Sequence, residues 1–223
     1  MKNTDAGKFF DRVHIDWGTV PGGYAWIFPK NDHISVGVGC PAAVSKYLKT
    51  YYTNIIDNLN IPVADVLSLR AHSIPCRSKK GRYSNGNILL IGDSAGLTDG
   101  LTGEGIYYAI RSGQIAAKVI TEYISGSIAD IDQHYSVMIN EEIMKELLAV
   151  FPILHIFHAF PYRAHRFIRD NDRAWNAFIR VLRGEKSYTS FPETLGYYRF
   201  MWKAIDNTAG MLYERNMKKF MRR

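Results

Sequence analysis

Two groups of residues in this chain have types and spacing that can do chemistry. The first is Gly92-Asp93-Ser94-Ala95-Gly96 followed by Leu101-Thr102-Gly103-Glu104-Gly105-Ile106. A carboxylate that closes a short apolar run, as Asp93 closes Ile88 to Ile91, suits a sugar-like hydroxyl better than a phosphate, because it accepts hydrogen bonds and repels anions. Glycines at 92, 96, 100, 103 and 105 let a ligand approach the main chain closely, and the N–H groups at the start of a following helix favour an anionic or electron-rich group. Asp93 is therefore expected to accept hydrogen bonds from a polyol chain.

The second group is Tyr24-Ala25-Trp26-Ile27-Phe28-Pro29 with Ile34-Ser35-Val36-Gly37-Val38-Gly39. Alternation puts Tyr24, Trp26 and Phe28 on one face of a strand, and Gly37 and Gly39 on one face of the next. If the two faces coincide, a slot walled by rings and floored by backbone results, which suits a flat or chain-like apolar ligand. Three alternating aromatics can equally be the buried side of a sheet.

Other candidates carry less. The loop with Arg77, Lys79, Lys80 and Arg82 is either a phosphate or dinucleotide contact or a solvated connection. His155 and His158 have helical spacing but no matching acid or cysteine, and Cys40 and Cys76 have no CxxC spacing, so no metal site or redox pair is expected.

These residues need elements to position them. Ile88 to Ile91 reads as a buried, parallel-type strand, and Gly92 to Gly105 as a loop. Ile106, Ala109, Ile110, Gly113, Ala117, Ile120 and Ile124 recur as one helical face, with Thr102 as N-cap and Glu104 in the first turn. The aromatic stretch reads as a β-hairpin over 24–39 with a four-to-five-residue loop, preceded by a strand at Val13 to Trp17 in an extended lead-in, residues 1–20. A helix is expected over 42–59, stopped by Asn60-Ile61-Pro62, and a further strand over Leu67 to Pro75. Residues 131–223 read as helices broken at Pro152, Pro161 and Pro192.

At 223 residues with 47% hydrophobic content, the chain can bury a core, and disorder is excluded. Met1 to Phe10 has no secretory pattern and no apolar run reaches membrane-spanning length, so a cytoplasmic setting is expected. The net charge of +7 is uneven: 13 Lys and Arg face 11 Asp and Glu over residues 1–130, against 15 and 10 over 131–223. A basic half admits anionic lipid, pyrophosphate or nucleic acid as partner, and a solvated basic face accounts for it equally well. The apolar Leu147 to Phe160, followed by Arg163, Arg166, Arg169 and Arg173, suits either a membrane surface or a core helix beside a polar one.

The two motifs, in this order, resemble those of the geranylgeranyl reductase family within the p-hydroxybenzoate-hydroxylase-like flavoproteins. The resemblance implies that Asp93 binds the ribityl chain of FAD, and that Gly92, Gly96, Leu101, Thr102 and Ile106 belong to the cofactor loop whose Gly103, Glu104 and Gly105 line the flavin ring. It implies that Tyr24, Trp26, Phe28, Pro29, Gly37 and Gly39 lie against an isoprenoid substrate. Where the family usually has proline, this chain has Gly100, which leaves the stiffness of the loop open.

A complete flavoprotein of this class carries a G-x-G-x-x-G turn for the ADP half of FAD. None occurs here, so the chain is expected to be a fragment or a shortened form, with the missing FAD-binding segment as a partner. The expected fold class is α+β, with an antiparallel substrate-binding sheet and one helix over 1–85, an FAD-binding strand, loop and helix over 86–126, and a C-terminal helical region over 127–223. The implied reaction is reduction of an isoprenoid or lipid C=C bond by hydride from reduced FAD, with NAD(P)H or another reductant as electron donor. No side chain is an obvious proton donor; Tyr24, His72 and Glu104 are candidates, with water as the default. Peripheral membrane contact is admitted beside the core-helix reading, and nucleic acid is not an expected partner. The alternatives are a related FAD-dependent monooxygenase or halogenase, or a non-catalytic lipid-binding module.

Overall fold

The computed structural model describes residues 12–17, 19–194 and 202–222. The first eleven residues of the expected lead-in lie outside that range. The chain divides into two compact units, Met1–Ser73 with His158–Pro161 and Ala209–Arg223, and Ile74–Phe157 with Tyr162–Thr208. Helices together with small antiparallel sheets make this an α+β protein.

In the first unit, strands β1 (His14–Trp17), β2 (Tyr24–Pro29) and β3 (Ile34–Gly39) form an antiparallel sheet in that order. The β2–β3 loop is four residues long and is closed by Lys30 N–H donating to the His33 carbonyl at 2.8 Å. Side chains alternate across the sheet, and one face is core: Ala25, Ile27 and Ile34 are buried, with Val36 and Val38 packed beside them. That face meets Tyr51 and Ile56 of α1 (Leu48–Asn58), and Met217 of α8 (Trp202–Met221) completes the cluster. The expected single helix over 42–59 opens as a 3-10 segment, Ala42–Tyr47, before α1 begins. Asn60 then turns the chain at φ 53°, ahead of Pro62.

The second unit is built around α2 (Ile106–Ile124) and α3 (Ile131–Ile139), with the hairpin β4 (Ser84–Asn85) and β5 (Ile88–Leu89). Its core gathers Tyr83, Leu97, Tyr108, Ile115, Val119, Tyr135, Ile139, Met144 and Leu147. Beyond a π-helical turn at Asn140–Met144 come α4 (Lys145–Ala159), α5 (Pro161–Arg169), α6 (Asp172–Leu182) and α7 (Phe191–Thr194).

Several expectations are corrected. β5 is neither buried nor parallel: it pairs antiparallel with β4, and Ile88 is 66% exposed. The expected strand over Leu67 to Pro75 has no partner among the described residues, and its Leu67, Leu69 and Ile74 are exposed. Pro152 lies inside α4 instead of ending it, forgoing one i→i−4 bond, whereas Pro161 does open a new helix. On α2, the buried side is Tyr108, Ser112, Ile115, Ala116 and Val119. The face recognised by its apolar spacing is largely open, with Ile106 73% and Ile124 80% exposed.

Candidate functional site

The glycine loop belongs to the second unit. From Gly92 to Ala95 the chain makes a 3-10 turn, closed by Gly96 in the left-handed region at φ 69°. Gly92 is buried, and its N–H donates to Ser112 Oγ at 2.9 Å, which ties the loop to the core side of α2. Arg77 braces the far side: its Nε donates to the Ala95 carbonyl at 2.6 Å and its N–H to the Gly96 carbonyl at 3.1 Å, while its guanidinium lies 4.7 Å from the Tyr83 ring centre. Lys80 pairs with Glu141, and Arg82 with Asp132. Three of the four cations in this basic loop are thus engaged within the protein.

Asp93 is exposed, yet its carboxylate is fixed, because Thr98 Oγ1 donates to Oδ1 at 3.0 Å. That same oxygen would lie 2.8 Å from a Cβ at position 105, so only glycine lets the carboxylate rest over the turn. Gly103 adopts φ 74°, and Gly103 and Glu104 face solvent. The result is an open cradle of main chain with one oriented acid at its side. A polyol joined to a flat ring fits these donors and acceptors, so the residues present suit a flavin. Leu101 is buried and anchors the loop from behind, whereas Ile106 stands open at the start of α2.

Thr102 is not the N-cap of α2. The helix begins at Ile106, and the Thr102 hydroxyl accepts from Glu104 N–H at 3.2 Å. Glu104 supplies the capping oxygen, accepting from Tyr107 N–H at 2.9 Å, so its carboxylate serves the helix start.

The aromatic group belongs to the first unit. Register pairs Tyr24 with Gly39 and Trp26 with Gly37, and directly opposed residues share a face, so rings and glycines lie on the same side. That side is half-exposed, and the buried side is the aliphatic one. The floor is not bare backbone: a Cβ at Gly37 would fall 2.0 Å from the Trp26 ring, so the indole lies down on the glycine. An open slot is therefore replaced by a ring platform. Trp17 of β1, paired with Tyr24, extends it, with successive centroids of Trp17, Tyr24, Trp26 and Phe28 at 5.7, 5.6 and 6.2 Å. In the sequence Trp17 shows only as part of an alternating strand; cross-strand register is what brings it to the row. Pro29 ends β2 half-buried, and His72 is exposed in the segment that forms no strand.

A family model described as the geranylgeranyl reductase catalytic domain matches residues 1–71. The chain is 38% identical over 130 residues to an uncharacterized protein of Methanosarcina barkeri, covering 58% of this chain and 33% of that protein. It is 35% identical over 131 residues to digeranylgeranylglycerophospholipid reductase 3 of Methanosphaera stadtmanae, covering 56% and 31%. It is 31% identical over 157 residues to the chloroplastic geranylgeranyl diphosphate reductase of Oryza sativa, covering 68% and 32%. The chain thus spans a quarter to a third of the length of the curated relatives it matches. Among solved structures, a geranylgeranyl bacteriochlorophyll reductase-like protein of Thermoplasma acidophilum superposes with a TM-score of 0.52 at 29% identity, over 62% of this chain and 37% of that one. The family model, the named reductases and the solved structure agree, and together they support a geranylgeranyl reductase family protein.

Proposed function

We propose that this chain forms the substrate platform and the ribityl-side cradle of an FAD-dependent reductase that saturates C=C bonds of an isoprenoid or lipid. The observation that carries this is the Asp93 carboxylate, held by Thr98 over a position where only hydrogen fits. Reduced FAD, when bound, supplies a hydride to one alkene carbon while the other takes a proton, and NAD(P)H or another reductant restores the reduced cofactor.

The chain's own residues bind and orient. Asp93 accepts from hydroxyls, Gly103 and Gly105 keep side chains off the flat ring, and Trp17, Tyr24, Trp26 and Phe28 offer rings to an apolar chain and keep water from it. Glu104 is occupied by the helix start, which leaves Tyr24, His72 or water as the proton source. A segment outside these residues would hold the ADP half. Ile88, Leu90, Ile91, Ile106 and Ile110 are exposed and would offer it apolar surface. In the cell we expect a cytoplasmic protein resting peripherally on membrane, where its lipid substrate is found.

The test is the visible spectrum of the purified chain with added FAD, repeated with Asp93→Ala. A flavin spectrum that weakens at least tenfold in apparent affinity in the variant supports the reading. A colourless protein that ignores FAD overturns cofactor binding by this chain; retained lipid binding would then favour the non-catalytic module.

A further inference from the structure

Asp99 and Tyr188 stand far apart in sequence, yet Tyr188 Oη donates to Asp99 Oδ2 at 2.6 Å. Both are buried, at 3% and 8% exposure, and both belong to the second unit. Asp99 gathers the turn after it. Its Oδ1 accepts from Leu101 N–H at 2.7 Å and Thr102 N–H at 3.3 Å; its own N–H donates to the Glu104 carbonyl at 2.9 Å, and its carbonyl accepts from Gly103 N–H at 2.9 Å.

Tyr188 is anchored in turn. Its N–H donates to Glu146 Oε2 at 2.7 Å, and the Thr189 hydroxyl donates to the other oxygen of the same carboxylate on α4. Burial, together with the negative charge of Asp99, pushes the Tyr188 hydroxyl far above its usual titration range, so it remains a donor at any working pH. Gly100 gives this loop full backbone freedom; the Asp99 bonds remove it. A chain of bonds therefore runs from α4 through Glu146, Tyr188 and Asp99 into the turn that ends at Gly105.

We propose that Asp99 and Tyr188 are positioning residues: they hold the 100–105 turn in the shape that receives the ligand, although neither is among the expected cofactor contacts. The proposal rests on the flavin reading of that turn, and its test separates the two. Tyr188→Phe keeps the ring and removes only the donor. Amide hydrogen exchange of the ligand-free chain is expected to speed about tenfold at Leu101, Thr102 and Gly103, the scale of one lost buried hydrogen bond, with Tyr135 and Ile139 of α3 unchanged. FAD affinity, by absorbance titration, is expected to fall about tenfold, with the melting temperature lowered by only a few degrees.

Unchanged exchange at 101–103 overturns the clamp whatever FAD does. Faster exchange with unaltered FAD affinity overturns its role in ligand positioning. Faster exchange in a chain whose wild type ignores FAD leaves the clamp standing and overturns the cofactor reading. If Tyr188→Phe fails to fold, Asp99→Asn carries the test, since it leaves one acceptor oxygen for three donors; at least threefold faster exchange is expected, and no change overturns the clamp.

Discussion

Gly105 and Gly103 sit two residues apart and are glycine for different reasons. Gly105 has φ −129°, open to any residue, but a Cβ there meets the Asp93 carboxylate at 2.8 Å. The atom struck is the tip of an exposed side chain, so Gly105→Ala displaces Asp93 from Thr98 at little cost to the fold. Gly103, at φ 74°, is glycine because of its backbone, and an alanine there costs about 1–2 kcal/mol in the left-handed region. Gly105→Ala is therefore expected to lower FAD affinity about tenfold with a melting temperature within a few degrees of the parent, since near-surface changes usually stay within about 0.5 kcal/mol. Gly103→Ala is expected to lower the melting temperature itself. Thermal melts beside absorbance titrations check the pair, and equal effects of the two changes on both quantities would sink the distinction. The glycines and Asp93 were legible in the sequence because turn chemistry is local. The brace by Arg77 and the clamp by Tyr188 were not, since a basic loop and a remote tyrosine carry no local mark of what they touch.

The three-stranded sheet divides its labour between two faces. Ile27 and its neighbours bury aliphatic surface against α1, while Trp26 and the other rings stay half-exposed on the opposite side. Truncating Ile27 to alanine is expected to destabilise the unit by about 2–5 kcal/mol, the range for an emptied core position. Trp26→Ala is expected to cost much less stability. It should instead weaken binding of geranylgeranyl diphosphate about tenfold or more, measured by fluorescence titration alongside denaturant unfolding. A Trp26→Ala protein as unstable as Ile27→Ala, with unaltered ligand affinity, would make the ring row ordinary core. The hairpin could be read from sequence because a period of two fixes faces without knowledge of partners. The β5 strand and the open face of α2 were misjudged for the complementary reason. α2 is apolar on two sides, and periodicity reports a face without saying what covers it. The strand expected over Leu67 to Pro75 failed likewise, because strand pairing is a nonlocal fact.

Over the whole molecule, the charge of +7 is concentrated where the sequence half-count put it, and the structure gives that excess a location. Residues 161–186 carry seven Lys and Arg against three acids, on α5, on α6 and in the turn after it, and Tyr162, Phe167, Trp175 and Leu182 are exposed among them. Arg166 and Arg169 share Asp170, and Arg180 leans on Glu185 at 3.4 Å, but such exposed pairs contribute about 0–1 kcal/mol and leave the net charge in place. No single helix among the described residues is long and apolar enough to cross a membrane, and the contact at issue is an interfacial one through α5 and α6. Basic residues near an anionic surface each contribute about 1 kcal/mol, and exposed aromatics suit the headgroup region. The chain is accordingly expected to sediment with phosphatidylglycerol-containing vesicles and not with phosphatidylcholine alone. Arg163→Glu with Arg173→Glu should weaken that binding about thirtyfold or more at an unchanged melting temperature, and about 1 M salt, where screening acts within about 3 Å, should release the protein. Equal binding to neutral and anionic vesicles would assign the contact to the apolar side chains alone. No binding to either would return these helices to the role of a solvated basic face, and the lipid would have to reach the ring platform without help from the membrane surface.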